Sequence, residues 1–118
     1  MARVLIVDDE FDIGEFLGLA LRRQGHDVRA VTSVSEAYSM GVEFRPDVLI
    51  VDWMLGPSVD GIHVAQVLRA GLPRLQVILI TGRPSEALES KAAAAEIHTV
   101  LAKPFDLTEL AGVLDAAG

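Results

Sequence analysis

The sequence predicts an α/β domain with a five-stranded parallel sheet covered by helices on both faces. Three observations carry this prediction. Short apolar runs rich in β-branched residues recur along the chain. These runs are continuous rather than alternating, which calls for burial on both faces of a strand. Segments of helical periodicity fill the intervals, giving a doubly wound (βα) unit repeated five times.

The elements follow in order. "VLIV" at 4–7 reads as the first strand and runs into Asp8. Ile13, Phe16, Leu17, Ala20 and Leu21 share one face of the first helix, and Gly25 closes it. "DVRAV" at 27–31 is mixed in character and reads as an edge-like second strand. Ser33 and Glu36 form a capping box for a helix to about Glu43, with Pro46 beyond. "VLIV" at 48–51 runs into Asp52. Gly61, Val64, Ala65 and Leu68 mark a third helical face, closed by Gly71 and Pro73. "VILI" at 77–80 ends at Thr81, and "PSEALESKAAAAE" at 84–96 holds strong helix formers that bury little. "TVLA" at 99–102 ends at Lys103. Asp106 and Glu109 open a last helix with Leu107, Leu110, Ala111 and Leu114 inward.

The 118 residues suit one domain over 1–118, and 51% hydrophobic content excludes a disordered chain. No apolar run approaches the about 20 residues of a membrane span, and acids from Asp8 onward interrupt any signal-peptide pattern. There are no cysteines, which suits a cytoplasmic location. A net charge of −7 argues against direct nucleic-acid binding and favours a cationic partner or a metal.

In a parallel sheet the carboxyl ends of the strands lie on one edge, where ligands bind. That edge should gather Asp8, Asp9, Glu10, Asp52, Thr81 and Lys103. Clustered carboxylates must be protonated or neutralised, and Mg²⁺ does this with oxygen ligands. A carboxylate beside the metal can be a nucleophile toward phosphorus, while a hydroxyl and an ammonium receive the other phosphoryl oxygens. Each residue alone has an ordinary reading: solvated loop acids, a turn threonine, a surface lysine before proline. Their joint placement at four pooled strand ends favours a shared site.

The stretches "VDDE" 7–10, "VLIVDWML" 48–55, "DG" 60–61, "ITG" 80–82 and "KPF" 103–105 resemble the response-regulator receiver domain of two-component signalling, over essentially the whole chain. The resemblance implies the flavodoxin-like receiver fold. It makes Asp52 the phosphoacceptor, with Thr81 and Lys103 contacting the phosphoryl oxygens. It makes Asp9 a direct Mg²⁺ ligand, with Asp8 assisting and the Met54 backbone carbonyl beside them. It implies a cis Lys103–Pro104 bond. The phosphodonor would be a histidine kinase or phosphotransfer protein, and a downstream protein would read the result. The domain is then a switch that assists its own phosphorylation and slow dephosphorylation, not a turnover enzyme. It would be a monomer or weak dimer, of the free-standing or hybrid-kinase-associated type.

Several positions depart from that family pattern. "LGPSVDG" lengthens the loop after Met54 by one residue. Val100 stands where receivers carry an aromatic switch residue, so either the signal would leave through the loop after Thr81, including Gly82, and the fourth helix, or the change on phosphorylation is small. His98 shares the strand parity of Val100 and reads as a switch or, more simply, a strand-end histidine. Met54 and Arg83 flank the path of hydrolytic water in the family. The alternative function is a phosphorylation-independent pseudo-receiver for protein interaction, which Val100 alone favours. A haloacid-dehalogenase-type phosphatase would need an acid at position 54, and a nucleotide-binding loop would need Lys and Ser or Thr after Gly61. The chain stops at Gly118 as the last helix ends. It is thus expected to act by binding a partner or passing phosphate on, or to be a fragment of a longer protein.

Overall fold

The computed structural model describes residues 1–57 and 59–117, the last three of these by backbone alone. Ser58 in the lengthened loop, and Gly118 at the expected end of the last helix, lie outside the described residues.

The chain alternates β1 (Arg3–Val7), α1 (Phe11–Arg23), β2 (Asp27–Val31), α2 (Val34–Phe44), β3 (Val48–Asp52), α3 (Gly61–Gly71), β4 (Gln76–Thr81), α4 (Glu86–Ala94), β5 (Thr99–Ala102) and α5 (Leu107–Ala117). The strands form one parallel sheet in the order β2-β1-β3-β4-β5. β2 is an edge strand, as its mixed pattern requires. The order reverses between β1 and β3, so the crevice beyond their carboxyl ends is the switch point where such folds place ligands.

Strand parity divides the core into two layers. Leu5, Val7, Leu49, Val51, Val77 and Leu79 pack with side chains of α2, α3 and α4. Val4, Ile6, Val48, Ile50, Ile78 and Ile80 pack with Leu17, Leu21, Leu110 and Leu114 of α1 and α5. Both strand faces are therefore buried, which is why the runs are continuously apolar.

Helix starts follow local chemistry. The side chains of Ser33, Asp60, Ser85 and Asp106 accept from the backbone N–H three residues on, at 3.2, 2.9, 3.1 and 2.8 Å. The Glu36 carboxylate accepts from the Ser33 hydroxyl at 3.0 Å rather than from the Ser33 backbone, so only half of the expected capping box forms.

Three local expectations change. Phe16, expected inward, is 58% exposed, and the inner face of α1 is Gly14, Leu17, Gly18 and Leu21. A Cβ at Gly14 would sit 3.3 Å from that of Ala30, so the small residue brings the helix close to β2 and turns the phenylalanine outward. α4 is shorter than the stretch 84–96, because Ser85 caps it and Glu96 takes a left-handed φ of 59°. His98 is exposed and lies outside β5.

Candidate functional site

Register carries the chemistry to one place. Val7 pairs with Val51, which sets Asp8 level with Asp52. Asp52 pairs with Ile80, which sets Thr81 one step beyond. Thr81 pairs with Ala102, which sets Lys103 one step beyond that. Lys103 N donates to the Thr81 carbonyl at 2.7 Å, continuing the ladder past the strand end. The Lys103–Pro104 bond is cis, as the resemblance implies.

The Lys103 ammonium is the hub. Its Nζ lies 3.0 Å from Asp8 Oδ2, 3.1 Å from Asp52 Oδ2 and 3.4 Å from Glu10 Oε1. Asp8 is 1% exposed and Asp52 7%. Asp52 Oδ1 accepts from Met54 N at 3.3 Å, and Asp8 Oδ1 from Glu10 N at 2.9 Å. Above them opens a cleft of about 340 Å³ lined by Asp9, Glu10, Asp52, Met54, Thr81, Gly82, Arg83 and Lys103. Thr81 is buried, and its Oγ1 accepts from Arg83 N at 3.0 Å. The loop after Met54 is closed by a bridge from Met54 to Asp60, so its added length leaves the cleft floor in place. Gly61 is required there: a Cβ would collide with the carbonyl oxygen of Asp52.

The electrostatics are lopsided. Burial pushes the Asp8 carboxyl above its ordinary value, and the nearby Asp52 charge adds to this. Desolvation lowers Lys103, but the hydrogen bonds it donates to the Asp8 and Asp52 carboxylates, with their negative charge, outweigh this and raise it above its ordinary value. The two directions agree physically. One ammonium is shared among three carboxylates, so it is well satisfied while Asp8 remains undercompensated.

A folded-state carboxyl raised above its unfolded value of 3.8 favours the folded protein only when protonated. Its contribution is present below pH 3.8 and is lost as pH rises through the folded value. Asp8→Asn should therefore be more stable than the parent at pH 7 without metal. The advantage should vanish on acidification below about 4. Urea unfolding of both proteins at several pH values measures this, and an Asn variant less stable at pH 7 contradicts it.

Carboxylate oxygens of Asp8, Asp9, Glu10 and Asp52 lie within 4.8 Å of one another. An all-oxygen set of this kind fits a hard dication such as Mg²⁺.

Most expected site residues converge on the cleft. Asp8 lies beneath it rather than on its wall. Val100 does not reach it and packs half-buried in the core on the α2–α4 side. Glu10 is a wall residue not assigned a role from the sequence, though it belongs to the same acidic run; its Lys103 contact identifies it.

A buried carboxylate–lysine centre at the switch point of a doubly wound sheet defines a class of α/β domain with an acidic crevice whose carboxylates could hold a cation. The sequence model of the response regulator receiver domain matches residues 4–115, and the chain belongs to that family. It is 30% identical over 115 residues to the phosphate regulon transcriptional regulatory protein PhoB of Pseudomonas aeruginosa, covering 96% of this chain and 50% of that one. It is 35% identical over 109 residues to the probable transcriptional regulatory protein TcrX of Mycobacterium tuberculosis, covering 91% and 45%. The chain thus spans about half the length of these curated relatives. Among solved structures, the Vibrio cholerae chemotaxis protein CheY4 superposes with a TM-score of 0.92 at 25% identity, over 100% of this chain and 99% of that one.

Proposed function

We propose that this domain is a phosphoacceptor switch. It takes a phosphoryl group onto Asp52 from a phosphohistidine of a histidine kinase or phosphotransfer protein, and thereby changes its binding to a downstream protein. The observation that carries this reading is the buried Asp52 carboxylate, 3.1 Å from the Lys103 ammonium and open to a cleft that Thr81 also lines.

An oxygen of Asp52 attacks phosphorus as the P–N bond to the donor imidazole breaks, and the electron pair stays on the ring nitrogen. Lys103 pairs with one phosphoryl oxygen. The Thr81 hydroxyl, which accepts from Arg83 N, keeps its own hydrogen to donate to another. Asp9 and Asp52, with the Met54 carbonyl and with Asp8 assisting, are the groups that would hold Mg²⁺. Bound there, it supplies charge neutralisation for the carboxylates and the transferring group. A groove lined by Ile13, Phe16, Leu17, Pro104 and Phe105 reaches the cleft at Lys103 and offers the donor an apolar surface. The outward Phe16 belongs to it. The domain's own charge of −7 argues against direct contact with nucleic acid.

Intact mass after incubation with Mg²⁺ and acetyl phosphate tests the reading. Gain of one phosphoryl group supports it; no gain by a folded, Mg²⁺-binding protein points to a phosphorylation-independent interaction module.

Met54, 61% exposed, and Arg83 stand at the cleft wall, where they obstruct water. Met54→Ala and Arg83→Ala should each lose the phosphoryl group several-fold faster than the parent. The decay of the phosphorylated mass with time measures it, and equal or slower decay in both variants removes the idea.

A further inference from the structure

At the amino-terminal edge of the sheet, opposite the acidic cleft, lies a second cavity of about 480 Å³. The start of β1, the α2–β3 turn and the α3–β4 turn frame it, with Leu114 of α5 beside them. β1 and β3, of 5 residues each, run from this cavity to Asp8 and Asp52. At about 3.3 Å per residue that is roughly 16 Å, so the two sites are separate.

The walls are positive. Arg3, Arg45 and Arg74 all line the cavity, three of the 10 Lys and Arg in a chain of net charge −7. Each is exposed. Among the described residues, no carboxylate forms an ion pair with any of the three. Asp47 is the one acid in the lining, and its Oδ2 already accepts from Arg3 N at 2.9 Å. The C-terminal ends of α2 and α3 add about half a negative charge each, which still leaves the balance positive. A helix end alone favours one nearby cation. It does not explain Arg45, which closes α2 with a left-handed φ of 49° where glycine or asparagine usually stands. Glycine would carry no strain there, so the guanidinium comes at a conformational cost.

The frame is tied together without a ligand. Asp47 N donates to the Arg3 carbonyl at 2.8 Å, and Gln76 N to the Asp47 carbonyl at 3.0 Å, so one residue joins all three segments. Leu75 N closes the α3–β4 turn on the Leu72 carbonyl at 3.0 Å, and Arg69 Nε donates to the Leu75 carbonyl at 3.3 Å. Between the arginines the lining is apolar, with Pro46, Val48, Leu72, Pro73 and Leu75.

We propose that this cavity binds a small molecule that joins phosphate groups to a flat ring, the chemistry of a mononucleotide. Guanidinium groups grip phosphate oxygens two at a time, which a preformed frame makes specific. The proline and leucine side chains receive the ring. The volume falls within the about 300–1,000 Å³ of small-molecule sites. A bare inorganic anion would use the arginines and leave the apolar lining in water, so a ligand with both parts fits better. The site stands whether or not Asp52 is a phosphoacceptor.

Backbone amide NMR spectra during titration with ATP in Mg²⁺-free buffer test the site. Signals of Arg3, residues 45–48 and residues 72–76 should move and saturate at about 1 mM or below, the scale of three charge-assisted contacts. Arg45→Gly relieves the left-handed strain and Arg74→Gln changes an exposed side chain, so both retain the fold, which urea unfolding checks. Each should bind ATP about tenfold more weakly than the parent. Asp52→Asn should bind it as the parent does. Adenosine lacks the phosphates and tripolyphosphate lacks the ring, and each should bind at least about tenfold more weakly than ATP.

No movement at these residues, or variants of Arg45 and Arg74 that bind like the parent, overturns the site. Movement confined to residues 52–54 and 81–83 places ATP in the acidic cleft and overturns it equally. Tripolyphosphate as tight as ATP reduces the cavity to a bare anion patch and overturns the ligand class.

Discussion

Asp52→Asn should abolish phosphoryl uptake. With Mg²⁺ and acetyl phosphate the parent mass should rise by one phosphoryl group, while the variant's rate should fall on the order of 10³-fold or more, the scale of losing a nucleophile. An amide of the same shape keeps an oxygen for the Met54 N–H, which Asp52 Oδ1 receives at 3.3 Å, so the floor of the cleft stays in place. It also removes one negative charge from a cluster in which Asp8 is already undercompensated. The variant should therefore be folded and no less stable than the parent, and its inactivity is chemical. Uptake by the variant would put the acceptor on another residue. Uptake by neither protein would leave a module that acts without phosphate.

The second large effect belongs to Lys103. Its side chain is 17% exposed and contacts the carboxylates of Asp8 and Asp52, whose side chains are 0% and 9% exposed. Lys103→Met keeps most of the stem and removes the charge. The buried carboxylates then lose their cation, which destabilises the fold by about 3 kcal/mol in metal-free buffer at pH 7. The raised Lys103 value gives the sign. Its contribution is complete below 10.5, the ordinary lysine value, and is lost only as pH rises through the higher folded value, so the full loss is visible at neutral pH. Mg²⁺ should recover part of this stability and bind the variant more tightly than the parent, because the same oxygens no longer share their charge with an ammonium. Denaturant unfolding with and without Mg²⁺ measures both terms. A variant as stable as the parent, with unchanged Mg²⁺ affinity, refutes the view that Lys103 holds the cluster together.

Much of the site was legible because its residues sit at strand ends. Asp52, Thr81 and Lys103 each follow an apolar run, and a parallel sheet pools such ends whatever the strand order. The family resemblance rests on the same positions. Less legible were distinctions among neighbours in the same pattern. Asp8 and Asp9 are adjacent acids after one strand, yet one is buried under Lys103 and the other forms the cleft wall. Parity points Asp8 inward, but the depth of burial depends on a lysine 95 residues away.

By itself the sequence determined the ten elements, their alternation, the edge character of β2 and the chemistry waiting at the strand ends. All of these follow from patterns over a few neighbouring residues and from the burial that apolar runs demand. Tertiary structure alone decided that Phe16 turns outward, because Gly14 lets α1 close on Ala30. It alone decided that Arg69 caps α4 from another helix and that Lys91 rests on Trp53. Those contacts join residues 16 to 38 positions apart, and only the packing of helices onto a common sheet sets the distance between them.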